Sequence, residues 1–125
     1  MLDGDKAFSG FAVPDIDAAR AFYGATLGLD IRDAGETGLL ELHVGGGAPT
    51  MIYPKPDHVP ATYTILNFPV DDIDASVDEL VAAGISMERY PDASQDERGI
   101  SRDDRGPAIA WFKDPAGNIL SVLKT

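Results

Sequence analysis

The sequence predicts an α+β fold: two βαβββ modules whose strands combine into a curled mixed sheet around a cleft, with the helices outside. Three observations predict it. Phe11-Ala-Val-Pro-Asp-Ile-Asp-Ala18 returns 57 residues later as Phe68-Pro-Val-Asp-Asp-Ile-Asp-Ala75, with Phe, Val, Asp-Ile-Asp and Ala coincident. An internal repeat of this kind specifies architecture better than any single propensity. Both copies read as strand, cap and helix, and three short strand-like runs follow each helix. The 125 residues are expected to form one domain, with module one over 7–56, a linker over 57–61 and module two over 62–125. A module of this size cannot bury a sufficient core alone, so the two sheets should share one, and the cleft between them is the default ligand site.

In module one, the apolar run from Phe8 to Val13 is ended by Pro14. Asp15 can cap a helix whose inward stripe is Ile16, Ala19, Phe22, Tyr23 and Leu27, with Gly28 stopping it. Strands are expected over Leu29 to Arg32, Gly38 to Val44 and Thr50 to Lys55, separated by Ala34-Gly35 and by Gly45-Gly46-Gly47-Ala48-Pro49. In module two, Ile65 to Val70 forms the strand and Asp71 or Asp72 the cap. Ile73, Val77, Leu80 and Val81 form the buried stripe, and Gly84 the stop. The remaining strands are expected over Ile85 to Tyr90, Ala108 to Phe112 and Asn118 to Leu123, the last two joined by the turn Asp114-Pro-Ala-Gly117. The stretch from Pro91 to Pro107 is charged, carries Ile100 as its one large apolar residue, and is longer than most connections in compact domains. It reads as a solvated loop in preference to a lid.

Composition excludes several functions. With 21 acidic against 10 basic residues the formal net charge is -11, which should repel phosphate backbones and anionic lipids and mildly favours a cationic small molecule. The absence of cysteine rules out disulfides, thiolate zinc sites and cysteine nucleophiles, and fits a reducing cytoplasm. Met1 to Lys6 has neither the basic region nor the apolar run of a signal peptide, and no segment approaches the roughly 20 apolar residues of a membrane span. Neither nucleic acid nor membrane is therefore an expected partner. Gly45-Gly46-Gly47 lacks the lysine and the helix start that a phosphate-cradling loop needs.

The paired modules, Ala21-Phe22-Tyr23 after the Asp-capped helix, Leu27-Gly28-Leu29, and the terminal Phe112-Lys-Asp-Pro-Ala-Gly-Asn118 together resemble the vicinal oxygen chelate superfamily. That group includes glyoxalase I, extradiol dioxygenases, and fosfomycin and bleomycin resistance proteins. The resemblance covers Phe8 to Leu123. It constrains geometry better than chemistry, because the superfamily spans isomerases, oxygenases, transferases and binding proteins. Its metal-using members take ligands from the first and last strands of each module. By register from the motifs, those positions here are Phe8, Tyr53, Ile65 and Ser121. None is His, Asp or Glu, the donors that a hard or borderline divalent ion needs. No metal and no other cofactor is therefore expected.

Other side chains carry chemistry of their own. Glu41 and His43 stand at i and i+2 of a strand-like run alternating with Leu40, Leu42 and Val44, so they share a face. Facing a ligand they would be an acid-base pair; facing water they are the polar side of an antiparallel strand, which is the more common arrangement. His58, in the Pro-rich linker, is expected in solvent. Asn67, in an otherwise apolar strand, either anchors a ligand or satisfies nearby backbone. Trp111 offers a flat surface for a core contact, a dimer contact or a planar ligand. Arg102 and Arg105 could clamp an anion or simply be solvated.

The reading is a metal-free small-molecule binding protein, its pocket lined by Phe8, Tyr53, Ile65, Asn67, Trp111 and Ser121. Resemblance to the bleomycin resistance proteins implies a homodimer whose clefts sequester a planar or cationic molecule. Two alternatives stay open. One is an enzyme, either a lyase, isomerase or dioxygenase with relocated metal ligands or a metal-free catalyst using Glu41 and His43. The other is a domain without a small ligand.

Overall fold

The computed structural model describes residues 1–36, 38–103 and 106–125. Arg105, one of the two candidate anion clamps, lies outside the described residues. The chain divides into two compact units, Met1–Val59 and Pro60–Thr125. Among the described residues no helix is long and apolar enough to cross a membrane.

The first unit carries β1 (Gly10–Val13), α1 (Ile16–Arg20), a π-helical turn over Ala21–Thr26, then β2 (Asp30–Asp33), β3 (Leu40–His43) and β4 (Thr50–Pro54). Its sheet has the order β1-β4-β3-β2, with β1 parallel to β4 and the other pairs antiparallel. The Asp15 side chain accepts hydrogen bonds from the N–H groups of Asp17 and Ala18 at 3.0 and 3.2 Å, a cap worth about 1 kcal/mol.

The predicted helix does not stay α-helical to its end. From Ala21 it widens, and the Leu27 N–H donates to Phe22 O, five residues back, at 2.9 Å. The wider turn accommodates two adjacent buried aromatics. Tyr23 is fully buried, 5.7 Å from Phe11 and 5.1 Å from Phe22 between ring centroids. Gly24 passes so close to β2 that a Cβ would stand 2.8 Å from Ile31 Cγ2. Strand β1 begins at Gly10 rather than Phe8; Ser9 O accepts the Met51 N–H at 3.0 Å, and Phe8 lies beyond the ladder, 65% exposed.

The second unit carries β5 (Thr64–Val70), α2 (Ile73–Ala82), β6 (Ile109–Lys113) and β7 (Ile119–Lys124). Its sheet order is β5-β7-β6, with β5 parallel and β6 antiparallel to the central strand. Between the two candidate caps the structure selects Asp72, which accepts from the Ala75 N–H at 3.1 Å. Ile73 and Val77 are buried, whereas Val81, expected in the inward stripe, is 54% exposed. It stands one position past Leu80, which is itself only half-buried.

The expected strand over 85–90 is not formed. Among the described residues its one backbone bond to β6 is Glu88 N–H to Trp111 O at 2.8 Å. The Gln95 side chain replaces the rest of a ladder. Its Oε1 accepts from Tyr90 N–H at 2.7 Å, and its Nε2 donates to Glu88 O and Gly99 O at 2.8 and 2.7 Å. The edge of β6 is instead occupied by Ser101, which exchanges two backbone bonds with Ile109 at 2.8 and 3.0 Å.

Over 95–102 the long loop is packed against the unit and not merely solvated. Ile100 is fully buried beneath it, and Arg98 and Arg102 both reach Asp74 of α2, at 2.7 and 2.6 Å. Arg98 also pairs with Asp78. The turn between β6 and β7 is closed by buried polar groups. Asp114 accepts from the N–H groups of Ala116 and Asn118 and from Asn118 Nδ2, at 2.9, 2.8 and 2.9 Å.

Candidate functional site

In each unit the strand register separates an apolar face from a face of mixed chemistry. In the first unit Val13, Leu40, Leu42 and Ile52 are buried on one side. The other side follows from the partners across the sheet. Glu41 stands opposite both Arg32 and Met51, His43 opposite Asp30, and Tyr53 opposite Ala12. Paired residues share a face, so Glu41, His43 and Tyr53 lie on one surface with Asp30 and Arg32.

His43 Nε2 and Glu41 Oε1 are 3.0 Å apart, and the two side chains are about one-third exposed. Arg32 forks onto Asp30 through Nε and Nη2 at 3.0 and 2.7 Å. That guanidinium holds the Asp30 carboxyl below the usual carboxylate range. Sequence reasoning missed Asp30 and Arg32. Their alternation along β2 marks a polar face, but nothing in it says which strand lies beside them. His58, expected in solvent, is half-buried in a tight turn, its N–H donating to Lys55 O at 3.0 Å. Its Nε2 is buried without a partner among the described residues.

In the second unit, Leu66, Phe68, Leu120, Val122, Ala110 and Phe112 share the apolar face, as their pairings require. The opposite face carries one row across all three strands. Asn67 on β5 stands against Ser121 on β7, which stands against Trp111 on β6. Ser121 is fully buried, Trp111 half-buried and Asn67 exposed. The Ser121 hydroxyl meets Asn67 Oδ1 at 2.6 Å.

Ile65 does not join this row. The β5 register shifts between Thr64 and Leu66, so Ile65 sits in a bulge and the simple two-residue alternation with Asn67 breaks. Tyr90, which sequence reasoning did not single out, packs edge-on against Trp111 with centroids 5.5 Å apart and planes at 81°. Its hydroxyl is buried and has no partner among the described residues. Burial, and after it the Glu88 charge, raise its phenol above the ordinary value.

The family model of the Glyoxalase/Bleomycin resistance protein/Dioxygenase superfamily matches residues 8–122. The chain belongs to this superfamily. No curated protein matches it in sequence. Solved structures with its fold include a putative glyoxalase family protein from Bacillus anthracis, 21% identical, with a TM-score of 0.71 and coverage of 100% of this chain and 99% of the other. A fosfomycin resistance protein from Listeria monocytogenes is 14% identical with a TM-score of 0.72, covering 100% and 95%. An antibiotic binding protein from a Streptomyces species is 22% identical with a TM-score of 0.68, covering 98% of each chain. At these identities the likeness is one of fold.

Among the described residues the superfamily's divalent ion finds no fitting donor set. Of the four positions the register assigns to ligands, Phe8 is an exposed ring ahead of β1, Tyr53 is 42% exposed on β4, Ile65 occupies the bulge, and the Ser121 hydroxyl is engaged by Asn67. None supplies imidazole nitrogen or carboxylate oxygen. Among the described residues no group of three or more His, Asp or Glu side chains could hold a metal ion.

Proposed function

We propose that this protein binds a small organic molecule on the face formed by Asn67, Ser121 and Trp111, and that it does so without a divalent metal. The row itself carries the reading. It places an accessible amide and a half-buried indole on one side of a sheet whose other side is apolar core. A few convergent polar groups beside an aromatic plane are the usual makings of a small-molecule site. Two proteins of the same fold support the reading by what they are: an antibiotic binding protein and a fosfomycin resistance protein. The net charge of -11 favours neutral or cationic molecules over anions. On this reading the protein is a homodimer, as its resemblance to the bleomycin resistance proteins implies, and its lack of cysteine fits a cytoplasmic location.

The test is a calorimetric screen of planar and cationic aromatic compounds, with elemental analysis of protein purified without tag or chelator. Saturable binding by metal-free protein is the expected result. Failure of every compound to bind, or stoichiometric divalent metal, would overturn it.

A second reading is favoured by one contact. The 3.0 Å approach of His43 to Glu41 makes an imidazole–carboxylate pair placed to exchange a proton with a ligand, a contribution of about 10²–10⁴ in rate where it operates. Loss of turnover in a folded His43→Ala variant is what this reading requires, and unchanged turnover would exclude it.

A further inference from the structure

We infer that the molecule bound on this face is a planar compound carrying a carbonyl or similar hydrogen-bond acceptor, and that Ser121 is the positioning residue that sets this preference. The inference rests on the reading that the face binds a small molecule and goes on to say which kind.

The argument begins with a buried hydroxyl. Ser121 is fully buried on the central strand, and its only side-chain hydrogen bond among the described residues is to Asn67 Oδ1 at 2.6 Å. An amide can turn either edge toward a serine, because its oxygen accepts and its nitrogen donates. Were Asn67 Nδ2 turned inward, Ser121 Oγ would accept and its own hydrogen would be buried without an acceptor, a cost of about 1–3 kcal/mol by general experience. With Oδ1 inward the Ser121 O–H donates and is satisfied. The inward edge of the amide is therefore its oxygen, and the outward edge is its NH₂.

Asn67 is exposed, and its Nδ2 donates to nothing among the described residues. The buried serine thus converts an ambidextrous amide into a fixed pair of donors. At the other end of the row, the Trp111 indole N–H has no acceptor among the described residues either. That end also presents an aromatic plane whose edge contact with Tyr90, at 81°, holds it in orientation. The face therefore offers donors and a ring, and the complement is an acceptor on a flat molecule. Two interstrand spacings separate Asn67 from Trp111, roughly 9–10 Å, a span that a fused bicyclic or tricyclic ring system can cover.

The test uses matched planar pairs that differ in one carbonyl: 9-fluorenone against fluorene, and 1-acenaphthenone against acenaphthene. The chain has one tryptophan, so quenching of its fluorescence reports on this row, and equilibrium dialysis supplies an independent Kd. The ketone of each pair is expected to bind about tenfold more tightly than its hydrocarbon. Ser121→Ala frees the amide to turn and should lower that ratio by weakening the ketone more than the hydrocarbon, and Ser121→Thr, which keeps the hydroxyl, should restore it. Asn67→Asp should invert the preference, since a carboxylate accepts and cannot donate.

Equal binding within each pair by the unaltered protein would overturn the inference. So would a tenfold ratio that survives Ser121→Ala. Both outcomes leave the small-molecule reading standing. If no compound of either kind binds, the small-molecule reading falls and this inference with it.

Discussion

The two units begin from nearly the same phrase, Phe-x-Val-x-Asp-Ile-Asp-Ala, and use it for the same purpose: an Asp caps a helix that follows a parallel edge strand. They part company at the far edge of the sheet and on the face away from the core. In the first unit the outer strand β2 pairs with β3 through a regular ladder. In the second, the equivalent stretch 85–90 is held by the side-chain amide of Gln95, and Ser101 occupies the edge of β6. The first unit's mixed face is charged, with Asp30, Arg32, Glu41 and His43. The second unit's row is neutral, with Asn67, Ser121 and Trp111. A repeat conserves what capping and core packing demand, while the faces that neither constrains are free to take on different chemistry.

The sharpest way to break the comparison is at the β6–β7 turn, where the second unit relies on buried polar bonds. Asp114→Ala removes an acceptor used by three donors in a site 5% exposed, and should destabilise by about 3 kcal/mol in urea unfolding. A loss below about 1 kcal/mol would show that water replaces the carboxylate without cost. Gln95→Ala comes next. It removes three bonds that stand in for a ladder and should cost about 2 kcal/mol, with amide exchange accelerating at Tyr90 and leaving the β2–β3 amides of the first unit unchanged. Equal acceleration in both units would contradict the contrast drawn between them.

A smaller effect is expected from acid. Desolvation pushes the Asp96 carboxyl upward, but the N–H groups of Ile100 and Arg98 and the Arg102 side chain outweigh it and hold the group below its ordinary value. A depressed carboxyl stabilises the fold above its unfolded-state value and loses that contribution as pH falls through its folded-state value. Unfolding curves taken from neutral pH down to about pH 3 should therefore show a shallower acid loss in Asp96→Asn than in the parent protein. An identical acid profile would remove Asp96 from the account of the loop. The smallest effect belongs to the first unit's charged face. His43→Ala should change stability by no more than about 0.5 kcal/mol, because a partly exposed pair on a solvated face contributes little; a larger loss would make the pair structural.

Much of this was legible in the residues. The repeat marked both modules, Asp15 and Asp72 sit where their motifs place a cap, and the alternation of Leu40, Glu41, Leu42 and His43 predicted the face that His43 and Glu41 share. These are local matters of period, turn chemistry and capping, decided within a few residues of chain. Other features depend on partners far along the sequence. The alignment of Asn67 with Ser121, 54 positions apart, is a matter of strand register. The bulge that displaces Ile65 is another, since one inserted residue turns a side chain to the opposite face. The replacement of the 85–90 strand by Gln95 is a third, because a glutamine amide that completes a sheet edge looks in the sequence like any polar loop residue. Short-range physics writes itself into neighbouring residues, whereas the chemistry of a sheet face is assembled only when distant strands pair.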